Sequence, residues 1–165
     1  MTNNGIRILS QNMRGLRDFS KRKGAFQFFR SKCDIALLQE TYSTADDERL
    51  WKIQWGDEVI FSHGTNKSKG CMILYKKANV SLIKEIIDPG GRFCGIIINI
   101  KESPTLIMNI YAPNDPKENY KFFIQMRNHL QQLQEEIIGL EIIVGGDFNF
   151  VENEDLDRNK NGETT

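Results

Sequence analysis

The stretch "CDIALLQE", residues 33–40, places the tightest limit on what this chain can fold into. Residues 35–38 are apolar without alternation, so a strand there buries both faces and needs cover on both sides. The run then stops on Gln39 and Glu40. A doubly covered strand of this kind belongs in a layered α/β sheet, and in such sheets ligands gather at strand ends.

The other segments fit that frame. Residues 6–12 read as a strand ending on Asn12. Residues 18–32, "DFSKRKGAFQFFRSK", read as a helix with Phe19, Phe26, Phe29 and Cys33 near one face and basic residues on the other. A short helix is expected around residues 48–51. "EVIFSH", "CMILY" and "VSLIKEI" read as consecutive strands, with Gly64 and Gly70 bracketing a polar turn between the first two. "FCGIIINI" and "TLIMNIYA" form an expected antiparallel pair that turns through residues 101–104. The next helix has the clearest start: Asp115 as cap, Pro116 at the first helical position and Glu118 three residues after the cap. Phe123, Met126, Leu130, Leu133 and Ile137 follow as an apolar stripe, Gly139 is a natural stop, and a strand runs from Glu141 to Val144. These elements predict a mixed sheet covered by helices. No GxGxxG or P-loop pattern follows any strand.

Four strands end on polar side chains: Asn12, Glu40, the pair Tyr111 and Asn114, and the pair Asp147 and Asn149. With a period of two, Asp147 and Asn149 share a face, as do Asn109 and Tyr111. One Glu and one Asp supply hard oxygen ligands that suit Mg²⁺. Asparagine amides can orient a phosphate, and a tyrosine hydroxyl can donate to a developing oxyanion. Each residue also has a structural alternative. Asn12 and Asn149 suit left-handed turns, Glu40 an exposed strand terminus, Tyr111 a core edge, and Asp147 a turn cap.

Composition limits the partners. The 165 residues carry 22 Lys plus Arg against 22 Asp plus Glu, so no global field draws the chain to nucleic acid or membrane. Cys33, Cys71 and Cys94 are far apart and odd in number, which suits core thiols in a reducing compartment. No secretory signal or membrane-length apolar run is present, so an intracellular chain without membrane contact is expected. His63 reads as a turn residue and His129 as a solvated helix residue.

The segments "LSQNMRGL", "DIALLQET", "KGCMILY", "LIMNIYAPN" and "IIVGGDFN", in this order, resemble the endonuclease/exonuclease/phosphatase superfamily. The likeness is greatest to the apurinic-type endonuclease domain of LINE-type (non-LTR) retrotransposons, and "LDR" after "GDFN" fits that pattern. It extends from about residue 6 to about residue 158. The resemblance implies a four-layer α/β sandwich of the DNase I-like type, of which this chain is expected to supply mainly the first mixed sheet with its helices. It implies Asn12 and Glu40 at a divalent metal, Mg²⁺ or Mn²⁺, with Glu40 the main ligand. Tyr111 would stabilise the attacked phosphate, Asp147 would position or deprotonate the attacking water, and Asn149 would orient the phosphate. Arg14, beside the first motif, and Asn114 are expected substrate contacts. DNA is the implied partner, a fused or associated reverse transcriptase a further one, and the nucleus the site of action. Lys21, Arg22, Lys23, Lys67, Lys69 and Arg92 are further candidates for phosphate contact.

The resemblance also implies a second half with a Ser-Asp-His motif, which nothing in this sequence matches. Residues 1–151 are therefore expected to form the N-terminal part of the domain, and residues 152–165 a polar loop or tail. Weak or absent activity of the chain alone, and self-association through an uncovered sheet, are further expectations. The alternatives are a phosphatase or repair nuclease of the same superfamily, or a catalytically dead remnant that binds metal or nucleic acid.

Overall fold

The computed structural model describes residues 5–150. Its elements in chain order are β1 (Ile8–Asn12), α1 (Phe19–Lys32), β2 (Ile35–Gln39), a 3₁₀ turn (Ala45–Asp47), α2 (Glu48–Trp55), β3 (Glu58–Ser62), β4 (Cys71–Tyr75), β5 (Ser81–Ile87), β6 (Phe93–Ile100), β7 (Ser103–Tyr111), α3 (Pro116–Glu136) and β8 (Glu141–Asp147). The expected polar tail at 152–165, with "LDR", lies outside the described residues.

The strands form two mixed four-stranded sheets, ordered β1-β2-β4-β3 and β5-β6-β7-β8. Each sheet has one parallel pair, β1 with β2 and β7 with β8, and each pair is joined through a helix, α1 or α3. A parallel pair needs such a crossover, because a tight turn can join only antiparallel strands. Three apolar layers hold the stack together. Phe26, Phe29, Trp51 and Trp55 pack α1 and α2 on the first sheet. Ile35, Leu37, Ile73, Ile96 and Ile107 fill the space between the sheets. Met126 and Leu133 seat α3 on the outer face of the second sheet, against Leu106 and Met108. The four-layer expectation stands, but the chain supplies both sheets rather than mainly the first. Every residue of β2 is buried, as its unbroken apolar run requires.

Side-chain phase departs from expectation on two helices. On α1, Phe19 is 55% exposed and Arg22 is buried instead. The Arg22 guanidinium lies 4.8 Å from the Trp51 ring centroid and donates to Gln54 Oε1 (2.6 Å) and Leu16 O (2.7 Å), which satisfies a charge that would otherwise be costly to bury. On α3, Phe122 is the buried aromatic and Phe123 is only partly covered. The cap on α3 is as expected: Asp115 accepts from the N–H groups of Lys117 and Glu118, with Pro116 at the start. The three cysteines are free and buried.

Candidate active site at the strand ends

The parallel registers bring the polar strand ends together. Asn12 pairs with Gln39 in the first sheet, and Tyr111 pairs with Asp147 in the second. The edge strands β1 and β8 also run beside each other across the sandwich. Asn12 Nδ2 donates to Glu40 Oε1 at 2.9 Å and to Asp147 Oδ2 at 2.8 Å, so one amide ties two carboxylates from different sheets. Asn12 Oδ1 accepts from the Arg14 N–H at 3.0 Å, which turns the amide nitrogen toward the carboxylates. Asn12 thus enters the cluster as a donor. Of the two residues expected at a metal, Glu40 is the one that presents carboxylate oxygens.

The backbone is strained where the site is built. Arg14, Glu40, Tyr42 and Asn149 have φ of 47°, 50°, 57° and 45°, in the left-handed region that non-glycine residues rarely adopt. Asp147 Oδ1 accepts from the Asn149 N–H at 3.1 Å, and Asn149 Nδ2 donates to Ala112 O at 2.8 Å. The structural alternatives for Asp147 and Asn149, a capped left-handed turn, are therefore realised, while Asp147 Oδ2 still faces Asn12. The two glycines before Asp147 permit close approach. A Cβ at Gly146, where φ is +140°, would lie 2.0 Å from Ile110 O, and one at Gly145 would lie 2.8 Å from Leu37 Cδ1.

Burial tends to raise the Glu40 carboxyl, but hydrogen bonds from Asn12, Tyr111 and Tyr42 outweigh it, so its pKa lies below the ordinary value. Tyr111 is pushed up to about 12 by burial and by the Glu40 carboxylate, and stays a neutral donor across the physiological range. Arg92 adds a cation beside it, with its guanidinium 5.0 Å from the Tyr111 ring centroid. Arg14 is exposed at the rim. Asn114 is exposed before α3 and makes no hydrogen bond to this cluster. The expected basic run divides: Arg22 is buried, and Lys21 Nζ donates to Met13 O (2.6 Å) and Arg14 O (3.2 Å), bracing the turn after β1.

Sequence reasoning missed a buried pin behind the site. Asn109 shares the inter-sheet face with Tyr111, as expected, but it is fully buried between the sheets rather than open at the strand ends. Its Oδ1 accepts from Gln39 Nε2 at 2.6 Å, and its Nδ2 donates to Leu38 O (2.9 Å) and Met72 O (3.0 Å). An amide inside the apolar run "LIMNIY" was the available signal. Asn119 was also missed: it is buried on α3 and donates to Pro113 O (2.9 Å) and Phe148 O (3.0 Å), holding the segment between Asp147 and Asn149. Neither histidine joins the cluster. His63 is more than a turn residue, since it bonds Ser43 Oγ (3.1 Å) and Glu48 Oε1 (2.8 Å). His129 is only half-solvated: its Nε2 is buried without a partner among the described residues, and its ring packs against Phe93.

Among the described residues no group of three or more His, Cys, Asp and Glu side chains converges. Two carboxylates held by amide and phenol donors instead fit a cation such as Mg²⁺, which is bound by few carboxylates and keeps several waters.

Known proteins resemble the chain in sequence and fold. It is 27% identical over 150 residues to a Xenopus laevis protein described as "Transposon TX1 uncharacterized 149 kDa protein", covering 88% of this chain and 11% of the relative. The chain thus spans about a tenth of that relative's length. Among solved structures, humanized D. rerio TDP2 superposes with a TM-score of 0.67 at 18% identity, covering 91% of this chain and 69% of that one. AP endonuclease LMAP from Leishmania major superposes with a TM-score of 0.69 at 17% identity, covering 86% and 54%. The sequence pattern of one family matches residues 9–163, nearly the whole length, and by that match the chain belongs to the Endonuclease/Exonuclease/phosphatase family.

Proposed function

We propose that this chain is the endonuclease module of a retrotransposon, hydrolysing a DNA phosphodiester with a divalent cation, Mg²⁺ or Mn²⁺. The observation that carries the reading is the double hydrogen bond from Asn12 to Glu40 and Asp147, at 2.9 and 2.8 Å. Glu40 would hold the cation, whose chemistry is to neutralise charge on the phosphate. Asp147 takes a proton from the attacking water and is kept in place by Asn12 and the Asn149 N–H. Water forms the new bond to phosphorus as the bond to the 3′ oxygen breaks, and the leaving oxygen takes a proton from solvent water to become a 3′-hydroxyl. Tyr111, neutral at working pH, donates to a phosphate oxygen, with Arg92 adding positive charge beside it. Arg14 meets the strand at the rim, and Asn149 and Asn114 are assigned to orienting it. The likeness to a transposon protein supports DNA as substrate, and the proposal extends to a reverse transcriptase as neighbour and the nucleus as site of action. One solved relative, D. rerio TDP2, is described as complexed with single strand DNA product.

A second reading, a remnant that binds without cleaving, is favoured by one observation: neither His63 nor His129 reaches the carboxylate cluster. Plasmid nicking in Mg²⁺ separates the two. The endonuclease reading expects nicking that falls at least about a hundredfold in Glu40→Gln and in Asp147→Asn. A folded parent chain that leaves the plasmid intact decides for the remnant.

A further inference from the structure

We propose that Tyr42 is a positioning residue for the Glu40 carboxylate, locking it in the orientation that a divalent cation would meet. The inference rests on the reading of Glu40 as the group that holds the cation. The Tyr42 hydroxyl donates to Glu40 Oε2 at 3.1 Å, while Asn12 Nδ2 donates to Oε1 at 2.9 Å. With a donor bound to each oxygen, from Asn12 and from Tyr42, the carboxylate cannot turn about its last bond without losing both of these bonds. Each oxygen still keeps lone-pair capacity for a further partner.

Tyr42 is half-buried and held through both its backbone and its ring. Its N–H donates to Lys69 O (3.0 Å), and its carbonyl accepts from Arg17 Nη1 (3.2 Å), whose other contact is Asp47 Oδ2 (2.6 Å). Its ring lies against Gly15, where a Cβ would sit 2.8 Å from Tyr42 Cδ2. The turn that carries Gly15 is fastened to the same segment, because Gly15 N donates to Glu40 O (2.7 Å) and Leu16 N donates to Thr41 O (3.0 Å). The packing does not account for the strain. Tyr42 belongs to none of the three apolar clusters, yet a bulky aromatic is held at φ +57°. What this conformation achieves is delivery of the hydroxyl to Glu40.

The test is Mn²⁺ binding to the full chain, followed by titration calorimetry. The variants are Tyr42→Phe, which keeps the ring on Gly15 and removes only the oxygen, Glu40→Gln, and Tyr75→Phe as a control for losing a remote hydroxyl. The expected result is about a tenfold weaker Kd in Tyr42→Phe, the usual scale for losing a partner behind a ligand. Tyr75→Phe should match the parent, and Glu40→Gln should abolish binding. A Kd in Tyr42→Phe within twofold of the parent, with Glu40→Gln inactive in binding, overturns the role of Tyr42 and leaves the site standing. Parent-like binding in Glu40→Gln, or none in the parent, overturns the site and the inference together. Weaker binding accompanied by loss of the near-ultraviolet dichroism of Tyr42→Phe would mark a packing residue and equally overturn the proposal.

Discussion

Replacing Gly146 by alanine tests how the strand ends are built. The new Cβ would stand 2.0 Å from Ile110 O and 2.8 Å from Ile110 N, where real Cβ atoms keep at least 3.0 Å. Both atoms are backbone of the paired strand β7, so no side chain can rotate away. Strands β7 and β8 must part by roughly 1 Å, a distance that ruptures an N–H···O bond. The pairs at risk are Ile110 with Gly146, Tyr111 with Asp147, and the bond from Ala112 N to Asp147 O at 2.9 Å. Losing two or three such bonds costs about 2–4 kcal/mol. The backbone at φ +140° adds about 1–3 kcal/mol for a residue with a side chain. The sum, about 3–7 kcal/mol, is comparable with the stability of a whole domain, about 5–15 kcal/mol. Gly145→Ala is the control, because the one tight contact of its Cβ is Leu37 Cδ1 at 2.8 Å, the end of a side chain, with Ser10 Cβ at an ordinary 3.9 Å, and it should cost about 1–2 kcal/mol. Urea unfolding measures both. A Gly146→Ala protein within about 1 kcal/mol of the parent, or less damaged than Gly145→Ala, refutes the reasoning.

Asn109→Leu takes a donor from Leu38 O and Met72 O and the shortest acceptor from the Gln39 amide, which keeps Ser10 Oγ and Leu37 O, and should destabilise by about 2–4 kcal/mol in urea unfolding. Adding Gln39→Leu should cost at least about 1 kcal/mol less than the sum of the single changes, and strict additivity would deny the pairing. Acid stability follows from Asp34, Asp47 and Glu40: burial tends to raise each, hydrogen bonds outweigh it, and all lie below their ordinary values of 3.8, 3.8 and 4.5. Carboxyls depressed in the fold stabilise it above those values, so the thermal midpoint should drop as pH falls below about 4.5 and continue to drop through the depressed values. At the alkaline end burial pushes Tyr75 and Tyr111 up to about 12 from 10, so their contribution is complete below pH 10 and lost between pH 10 and 12. A midpoint flat across either window contradicts the assignment.

Much of this architecture was legible in the sequence because the strongest signals are local. The unbroken run of β2 demanded cover on both faces, and the Asp115-Pro116 start placed α3 to the residue. The strand-end residues were legible as a set for the same reason, since Asn12, Glu40, Tyr111 and Asp147 each stand at the end of a strand-like segment. What escaped depends on partners distant in sequence. Arg22 reads as solvated until Trp51, Gln54 and Leu16 are brought around it. Asn109 reads as a strand-end polar group until Gln39 meets it from the other sheet, 70 residues away. Tyr42 lies in no periodic element, and its part in the cluster depends on a left-handed backbone that nothing in "ETYS" announces.

The two carboxylates stand on different sheets, Glu40 after β2 and Asp147 at the end of β8, so their separation depends on how the sheets are set against each other. The apolar layer between the sheets cannot define that setting alone, because burial is non-directional and tolerates small slides of one sheet over the other. Directional bonds can. The Gln39–Asn109 amide bond crosses the sandwich one residue before Glu40 and two before Tyr111, and the Asn12–Asp147 bond crosses it at the site itself. Gly145 lets β8 approach Leu37 of the opposite sheet closely enough for the second bond to form. The polar residues of the motifs therefore divide into those that form the strand-end cluster and those that hold the sheets in register behind it. If Glu40 holds a cation as proposed, a change at Asn109 or Gln39 should weaken Mn²⁺ binding in titration calorimetry even in variants that remain folded, since the register is lost before the apolar layers are.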